Sequence, residues 1–347
     1  MTLRRRDTGR QGRREVQPLQ IQDVGELGLL ERLRQFCPSR LIGDDAAVLA
    51  VPPDKRLVVT TDVLVDGVHF SDRTTTSEDV GWRATAANLS DLAAMGADPM
   101  AITVGLSLPG TVPVEWVAGL YRGMGQCLQR YGGQIAGGDL CRAPTISVAI
   151  TAFGSVDAAQ ALYRSGAKPG QAIVATGRHG SSRAGLEVLL NPESAANVSA
   201  LARKRWVSAH QRPHPRFDAI NCLRRLLSTG ASIAAMDTSD GLANGIVQLC
   251  QMSGVGAKVE RSQLPIDPTL IAWRGEEEAL DWALYGGEDF ELLLCLPPAI
   301  ALEFVQQLGG DAAVVGATIQ APEILLTDSK DASWVQPLTL DRGFQHF

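Results

Sequence analysis

Aromatic residues make up only 5% of this 347-residue chain, and no apolar run approaches the ~18 residues that a membrane-spanning helix needs. A helical membrane span is therefore not expected. The six cysteines, Cys37, Cys127, Cys141, Cys222, Cys250 and Cys295, contain no C-x-x-C pair, so they read as reduced, packed thiols of a cytoplasmic protein rather than metal or redox ligands. The five histidines include no H-E-x-x-H. Phosphate-binding signatures are missing as well. Gly177-Arg178-His179-Gly180-Ser181-Ser182 joins an expected strand to an expected helix but matches neither G-x-x-x-x-G-K-[ST] nor a dinucleotide fingerprint. No serine–histidine or cysteine–histidine arrangement points to an activated nucleophile.

Basic charge is scarce outside one segment. Residues 1–17 hold six arginines against Asp7 and Glu15, a local charge of +4 in a chain of net charge −6, which leaves the remaining 330 residues at −10. So acidic a body is a poor general binder of nucleic acid. The arginine-rich start has no apolar stretch or amphipathic period and reads as a solvated tail over residues 1–20.

What is abundant is apolar residues, at 45%, and glycine, with 35 residues. At this length two domains of roughly 150 residues each are the natural expectation. Composition loosens around Gly154–Ala161, so the boundary is placed there, giving an N-terminal domain over 21–155 and a C-terminal domain over 156–347. The pattern of strands, tight turns and helices indicates an α/β protein of α+β type: an N-terminal mixed sheet with helices, then a C-terminal α/β domain.

Acids interrupt the apolar runs at recurring points. Leu57-Val58-Val59 reads as a buried strand that stops at Thr60-Thr61-Asp62, which would leave hydroxyls and a carboxylate at a strand's carboxyl end, where ligands bind in open α/β sheets. Asp44-Asp45 precede a second apolar run, Ala46 to Val51, expected as another strand. Asn88-Leu89-Ser90-Asp91 lies within a helix expected from Ser77 to about Met95. Gly137-Gly138-Asp139 is expected between two strands, Gln134–Ala136 and Thr145–Phe153. Asp237-Thr238-Ser239-Asp240-Gly241 separates a strand from a helix, Gly286-Gly287-Glu288-Asp289 enters a strand, and Val314-Val315-Gly316 reads as the last strand. Singly, such acids are caps or turn residues. Gathered in one site they would repel one another unless cations were bound, which argues for divalent metal.

In this order, with Gly67-Val68-His69-Phe70, Arg164-Ser165-Gly166-Ala167 and the Gly343-Phe344-Gln345-His346-Phe347 ending, the motifs resemble the thiamine-monophosphate kinase family of the aminoimidazole-ribonucleotide-synthetase-like superfamily over roughly residues 23–347. The resemblance implies transfer of the γ-phosphoryl group of ATP to thiamine monophosphate by a homodimer that pairs through its N-terminal sheets. It implies Asp45, Asp62, Asp91, Asp139 and Asp240 as catalytic residues, and Asp45, Thr60, Thr61, Asp62, Asp91, Asp139, Asp237 and Asp240 as ligands of several Mg²⁺ ions. Tyr121, Gly138, Asp139, Arg164 and Ser239 would meet ATP, and His69, Glu288 and Phe344 the thiamine moiety. Leu140-Cys141 stand where the family commonly has hydroxyl residues. The alternatives are a sister synthetase of the superfamily, or a nucleotide- and metal-binding regulator without turnover.

Overall fold

The apolar alternation of residues 55–65 produces a strand longer than its chemistry suggests. In the computed structural model, which describes residues 18–227 and 232–343, β1 runs from Lys55 to Val65 without stopping at Thr60. It is held throughout by antiparallel pairing with β4 (Ser147–Asp157), from Lys55 opposite Asp157 to Val65 opposite Ser147. Because β1 is an edge strand of a four-stranded sheet, ordered β1-β4-β2-β3, Thr60, Thr61 and Asp62 sit in mid-strand without needing a carboxyl end to expose them. The other two strands are β2 (Asp98–Leu108) and β3 (Ile135–Arg142).

Gly137-Gly138-Asp139 therefore does not form a turn between strands. It lies inside β3, which pairs in parallel with β2 and places Asp139 beside Gly105. The expected strand at Ala46–Val51 is also absent: residues 41–46 turn, 47–52 are irregular, and Asp44 and Asp45 are exposed. Pro52-Pro53 lacks the amide hydrogens that a sheet ladder needs.

Alternation along the strands gives this sheet two different faces. Leu64, Ile102, Val104, Leu106, Val148, Ile150 and Ala152 bury against α2 (Ser77–Ala94) and α3 (Val114–Tyr131). Thr76 rather than Ser77 caps α2, accepting from the Asp79 amide at 3.3 Å. The two helices approach so closely at Gly81 that a Cβ there would lie 1.9 Å from the Leu120 carbonyl oxygen. On the opposite face Leu57, Val59 and Val63 remain 48%, 53% and 46% exposed, and among the described residues only its far end is covered, where Leu41, Ala47 and Leu49 meet Ala101, Ala136 and Phe153.

Residues 158–171 lead from β4 into a second sheet of seven strands, ordered β11-β10-β7-β9-β5-β8-β6. These are β5 (Ala172–Ala175), β6 (Ala234–Asp237), β7 (Gly256–Glu260), β8 (Leu292–Leu296), β9 (Ala313–Ile319), β10 (Ile324–Asp328) and β11 (Asp331–Pro337). The last two are additions to the sequence reading, which ended the sheet at Val314–Gly316. Both faces of this sheet are covered. Ile173, Ala175, Met236, Leu293 and Cys295 pack toward α7 (Leu242–Ser253) and α9 (Glu276–Tyr285), whereas Ala172, Val174, Ala235, Leu292 and Leu294 pack toward α6 (Phe217–Leu226) and α10 (Pro298–Leu308). Four further α-helices stand among the described residues: α1 (Ile21–Leu33), α4 (Ser181–Leu190), α5 (Ala200–Gln211) and a short α8 (Pro268–Arg274). Among the described residues no helix is long and apolar enough to cross a membrane.

Helix α2 is shared by both halves. Trp82 Nε1 donates to the Pro213 carbonyl at 2.8 Å, Arg212 Nε donates to Asp79 Oδ1 at 2.5 Å, and Ser90 Oγ donates to Asp237 Oδ2 at 3.0 Å. The acids of the first half are thereby fixed against those of the second.

Candidate active site

The small residues that let α2 pack closely also carry its polar group into the interior. Asn88 and Ser90 are fully buried, which requires partners. Asn88 Nδ2 donates to the Ala84 carbonyl at 3.0 Å while its Oδ1 accepts from the Asp62 amide at 3.2 Å, tying β1 to the helix. Asp91 Oδ2 accepts from Thr60 Oγ1 at 2.5 Å. From the second half, β6 ends at Asp237, whose Oδ1 accepts from Ser239 Oγ at 3.1 Å and whose Oδ2 takes the Ser90 bond already described. Asp62, Asp91, Asp237 and Asp240 thus border one cavity of about 1070 Å³ between the halves.

The electrostatics are those of crowded acids. Burial, then the charges of Asp91 and Asp240, push the Asp62 carboxyl up to about 6. Burial, then Asp91, push Asp237 up to about 7, although Ser90 and Ser239 oppose the shift. Asp91 is raised as well, by burial above all, with Thr60 and Arg164 pulling the other way. Arg164 also borders the cavity and donates to Gln248 Oε1 at 2.6 Å.

The same cavity is lined by His69, Arg83, Trp282, Tyr285 and Glu288. His69 Nδ1 accepts from the Val65 amide at 3.1 Å, an orientation set by the turn after β1. Glu288 has a left-handed φ of +60°, rare for a residue with a side chain, and its amide donates to the Ser239 carbonyl at 2.6 Å. Its neighbour Gly287, at φ +67°, makes that approach possible, since a Cβ there would lie 2.9 Å from the Ser239 oxygen. Burial would raise the Glu288 carboxyl, but the Arg83 guanidinium outweighs it and holds the group low.

The expected site residues separate into three groups. Asp62, Asp91, Asp237, Asp240, Arg164, Ser239, His69 and Glu288 border the cavity. Thr60 stands behind it as a support for Asp91, and Thr61 borders it while its hydroxyl meets Thr151 Oγ1 at 2.7 Å on the open face, so adjacent hydroxyls of one strand point oppositely. Asp45, Gly138, Asp139 and Tyr121 are not among its lining residues. Asp139 is exposed on the open face of β3, three strand spacings or roughly 14 Å from β1. Tyr121 is only 5% exposed in the N-terminal core, with its ring 5.6 Å from Phe36, so packing rather than nucleotide contact explains it within one chain. Phe344 and residues 1–17 lie outside the described residues.

Sequence reasoning missed Arg83, Arg183, Trp282 and Tyr285, all of which line the cavity. Arg83 left one trace: a single arginine among small and apolar residues in a helix, a position that a charge does not occupy without a partner.

Among the described residues no three His, Cys, Asp or Glu side chains converge closely enough to hold a metal ion. The donor chemistry nevertheless fits one. Four carboxylates share a cavity, those of Asp62 and Asp237 are raised by burial and by neighbouring acids, and hard oxygen donors suit Mg²⁺.

Residues 43–156 match the family model of the AIR synthase related protein N-terminal domain, and residues 168–328 match that of its C-terminal domain. A thiamine-monophosphate kinase of Synechococcus elongatus is 44% identical over 94% of this chain and 98% of its own length. The crystal structure of thiamine-monophosphate kinase from Stenotrophomonas maltophilia superposes with a TM-score of 0.75, at 33% identity over 88% of this chain and 96% of that one. The structure of AaThiL complexed with AMPPCP and TMP superposes with a TM-score of 0.72, at 29% identity over 95% of this chain and 99% of that one. With two AIR-synthase-type halves, a cavity of acids between them and relatives matched over nearly their whole length, this chain belongs to the thiamine-monophosphate kinase family.

Proposed function

We propose that the protein transfers the γ-phosphoryl group of ATP to the phosphate of thiamine monophosphate, giving thiamine diphosphate and ADP. The observation that carries this reading is the joint lining of one cavity: four aspartates with Arg164 and Ser239, and also His69, Glu288 and the aromatic Trp282 and Tyr285. The first set suits polyphosphate and the second a flat cationic heterocycle. Relatives that carry the kinase name, and one solved with a nucleotide analogue and TMP, support it.

In the reaction an oxygen of the acceptor phosphate forms a bond to Pγ as the bond from Pγ to the bridging oxygen of ADP breaks. That acceptor oxygen is already anionic near neutral pH, so no residue need remove a proton. The chain must instead bring two anions together and hold them in line. Asp62, Asp91, Asp237 and Asp240 are the residues that would hold Mg²⁺, which when bound neutralises phosphate charge and orients the transferring group. Thr60 orients Asp91, and Ser90 and Ser239 orient both oxygens of Asp237. His179, fully buried with Nε2 3.1 Å from Thr238 Oγ1, steadies the turn that carries Ser239 and Asp240.

We also propose a homodimer joined through the open face of the N-terminal sheet, where Leu57, Val59 and Val63 are exposed. Asp139 lies on that face and Asp45 in the loop beside it, so a family role for either at the phosphates requires a second copy to deliver it.

The test is ADP release by purified protein with ATP, Mg²⁺ and thiamine monophosphate, beside thiamine and no-acceptor controls. ADP formed only with thiamine monophosphate, together with chromatographically identified thiamine diphosphate, is expected. ADP formed only with thiamine, or nucleotide binding without turnover, would contradict the proposal.

A further inference from the structure

Arg83 is 1% exposed, yet it borders the cavity and joins α2 to the second half there. Its Nη1 donates to the His210 carbonyl at 2.7 Å and lies 3.1 Å from His210 Nδ1, which in turn lies 3.1 Å from Ser182 Oγ. Its Nη2 pairs with Oε1 of Glu288. A guanidinium has a planar, rigid donor fork, so engagement of one arm by a buried backbone carbonyl fixes where the other points.

Glu288 is immobilised from its backbone too. Its φ of +60° and that of Phe290, +51°, are left-handed values that persist only when surroundings enforce them. Asp289 between them accepts from the Gly180 and Ser182 amides at 2.7 and 2.8 Å, and the Glu288 amide is bound to Ser239. The result is a carboxylate clamped at both ends whose charge Arg83 balances. A balanced carboxylate attracts a cation weakly in general but still accepts a directed hydrogen bond. Arg83 engages one oxygen, and a carboxylate has two.

We infer that Arg83 is a positioning residue for acceptor recognition: held by His210, it fixes Glu288 so that the carboxylate reads an N–H donor on the amino-bearing heterocycle of the acceptor. The inference rests on the proposed function and adds the means of selection. Recognition is by hydrogen-bond geometry more than by net charge. An acceptor with an oxo group in place of the pyrimidine amino group is disfavoured, since it sets an acceptor against an acceptor.

The test is steady-state kinetics of the parent and of Arg83→Lys with thiamine monophosphate and with its oxo analogue. Lysine keeps the charge but cannot hold His210 and Glu288 together. The expected result is a rise of about tenfold in KM for thiamine monophosphate, with kcat and KM for ATP within about threefold of the parent, and a loss of about tenfold in the preference for amino over oxo acceptor. A second variant, Arg83→Met with Glu288→Gln, removes both charges of the pair and should lose the same preference even if Arg83→Lys folds poorly. Parent-like discrimination in either folded variant, or a fall in kcat with both KM values unchanged, overturns this inference and leaves the proposed function standing. No turnover of thiamine monophosphate by the parent overturns this inference and the proposed function together.

Discussion

The two sheets solve the problem of burial differently. Along β8 of the seven-stranded sheet, Leu292 and Leu294 face one core, and Leu293 and Cys295 the other, with every residue from Leu292 to Leu296 buried. In β1 the same alternation covers only one side: Leu64 is buried, whereas Val59 and Val63 stay about half exposed. The second half is complete as a folded layer, while the first presents an apolar face that a partner can cover. The acids follow this division. Those on the buried side of β1 and on α2 meet Asp237 and Asp240 in the cavity, and Asp139, on the open side, does not.

The largest effects separate these two sets of acids. Asp62→Asn and Asp139→Asn should each lower turnover by at least about 100-fold without loss of fold, as judged by circular dichroism, since under the proposed function each removes a carboxylate that would hold Mg²⁺. If Asp139 acts across a dimer, mixing the two variants restores activity, because a heterodimer contains one intact site. Retained turnover in both single variants would break the metal-cluster reading, and failed rescue would break the cross-dimer one.

Next in size is the packing contrast. Leu294→Ala, in the doubly covered sheet, should destabilise the protein by about 2–5 kcal/mol in urea denaturation. Val63→Ala on the open face should cost about 1 kcal/mol or less in a monomer. Placing glutamates there, Val59→Glu with Val63→Glu, should shift sedimentation from dimer to monomer; an unchanged assembly would mean that another surface pairs.

The smallest effect is a shift with pH. Asp237 is raised to about 7, above its unfolded value, so its charged form is disfavoured in the folded state. The destabilisation is fully present above pH 7 and is relieved as pH falls toward 4. Without Mg²⁺, Asp237→Asn should therefore melt higher than the parent at pH 8, with the difference closing by pH 4. A lower melting temperature for the variant at pH 8 would contradict the crowding of the acids.

Much of this was legible in residues alone. The helix expected from Ser77 to about Met95 is found as α2 over Ser77–Ala94, because helix start and stop signals are local. Thr60-Thr61-Asp62 misled, since polar residues in mid-strand look like an end unless the strand is known to lie at a sheet edge. Gly137-Gly138-Asp139 misled likewise, because glycines that suggest a turn are here part of a parallel edge strand. Arg83 and Tyr285 were hidden because a side chain's position in a cavity depends on contacts between residues distant in the chain. Asp45 and Asp139 stood out as acids interrupting apolar runs and Phe344 entered by resemblance to a family, and neither signal says which copy of a chain performs a role.

The most direct measurement is transfer of label from γ-labelled ATP, run in parallel for the parent and Asp62→Asn, with products separated by chromatography. Label in thiamine diphosphate from the parent and none from a folded variant is the predicted result. Label released only as free phosphate, or equal transfer by both proteins, would contradict a kinase built on the acids between the two sheets.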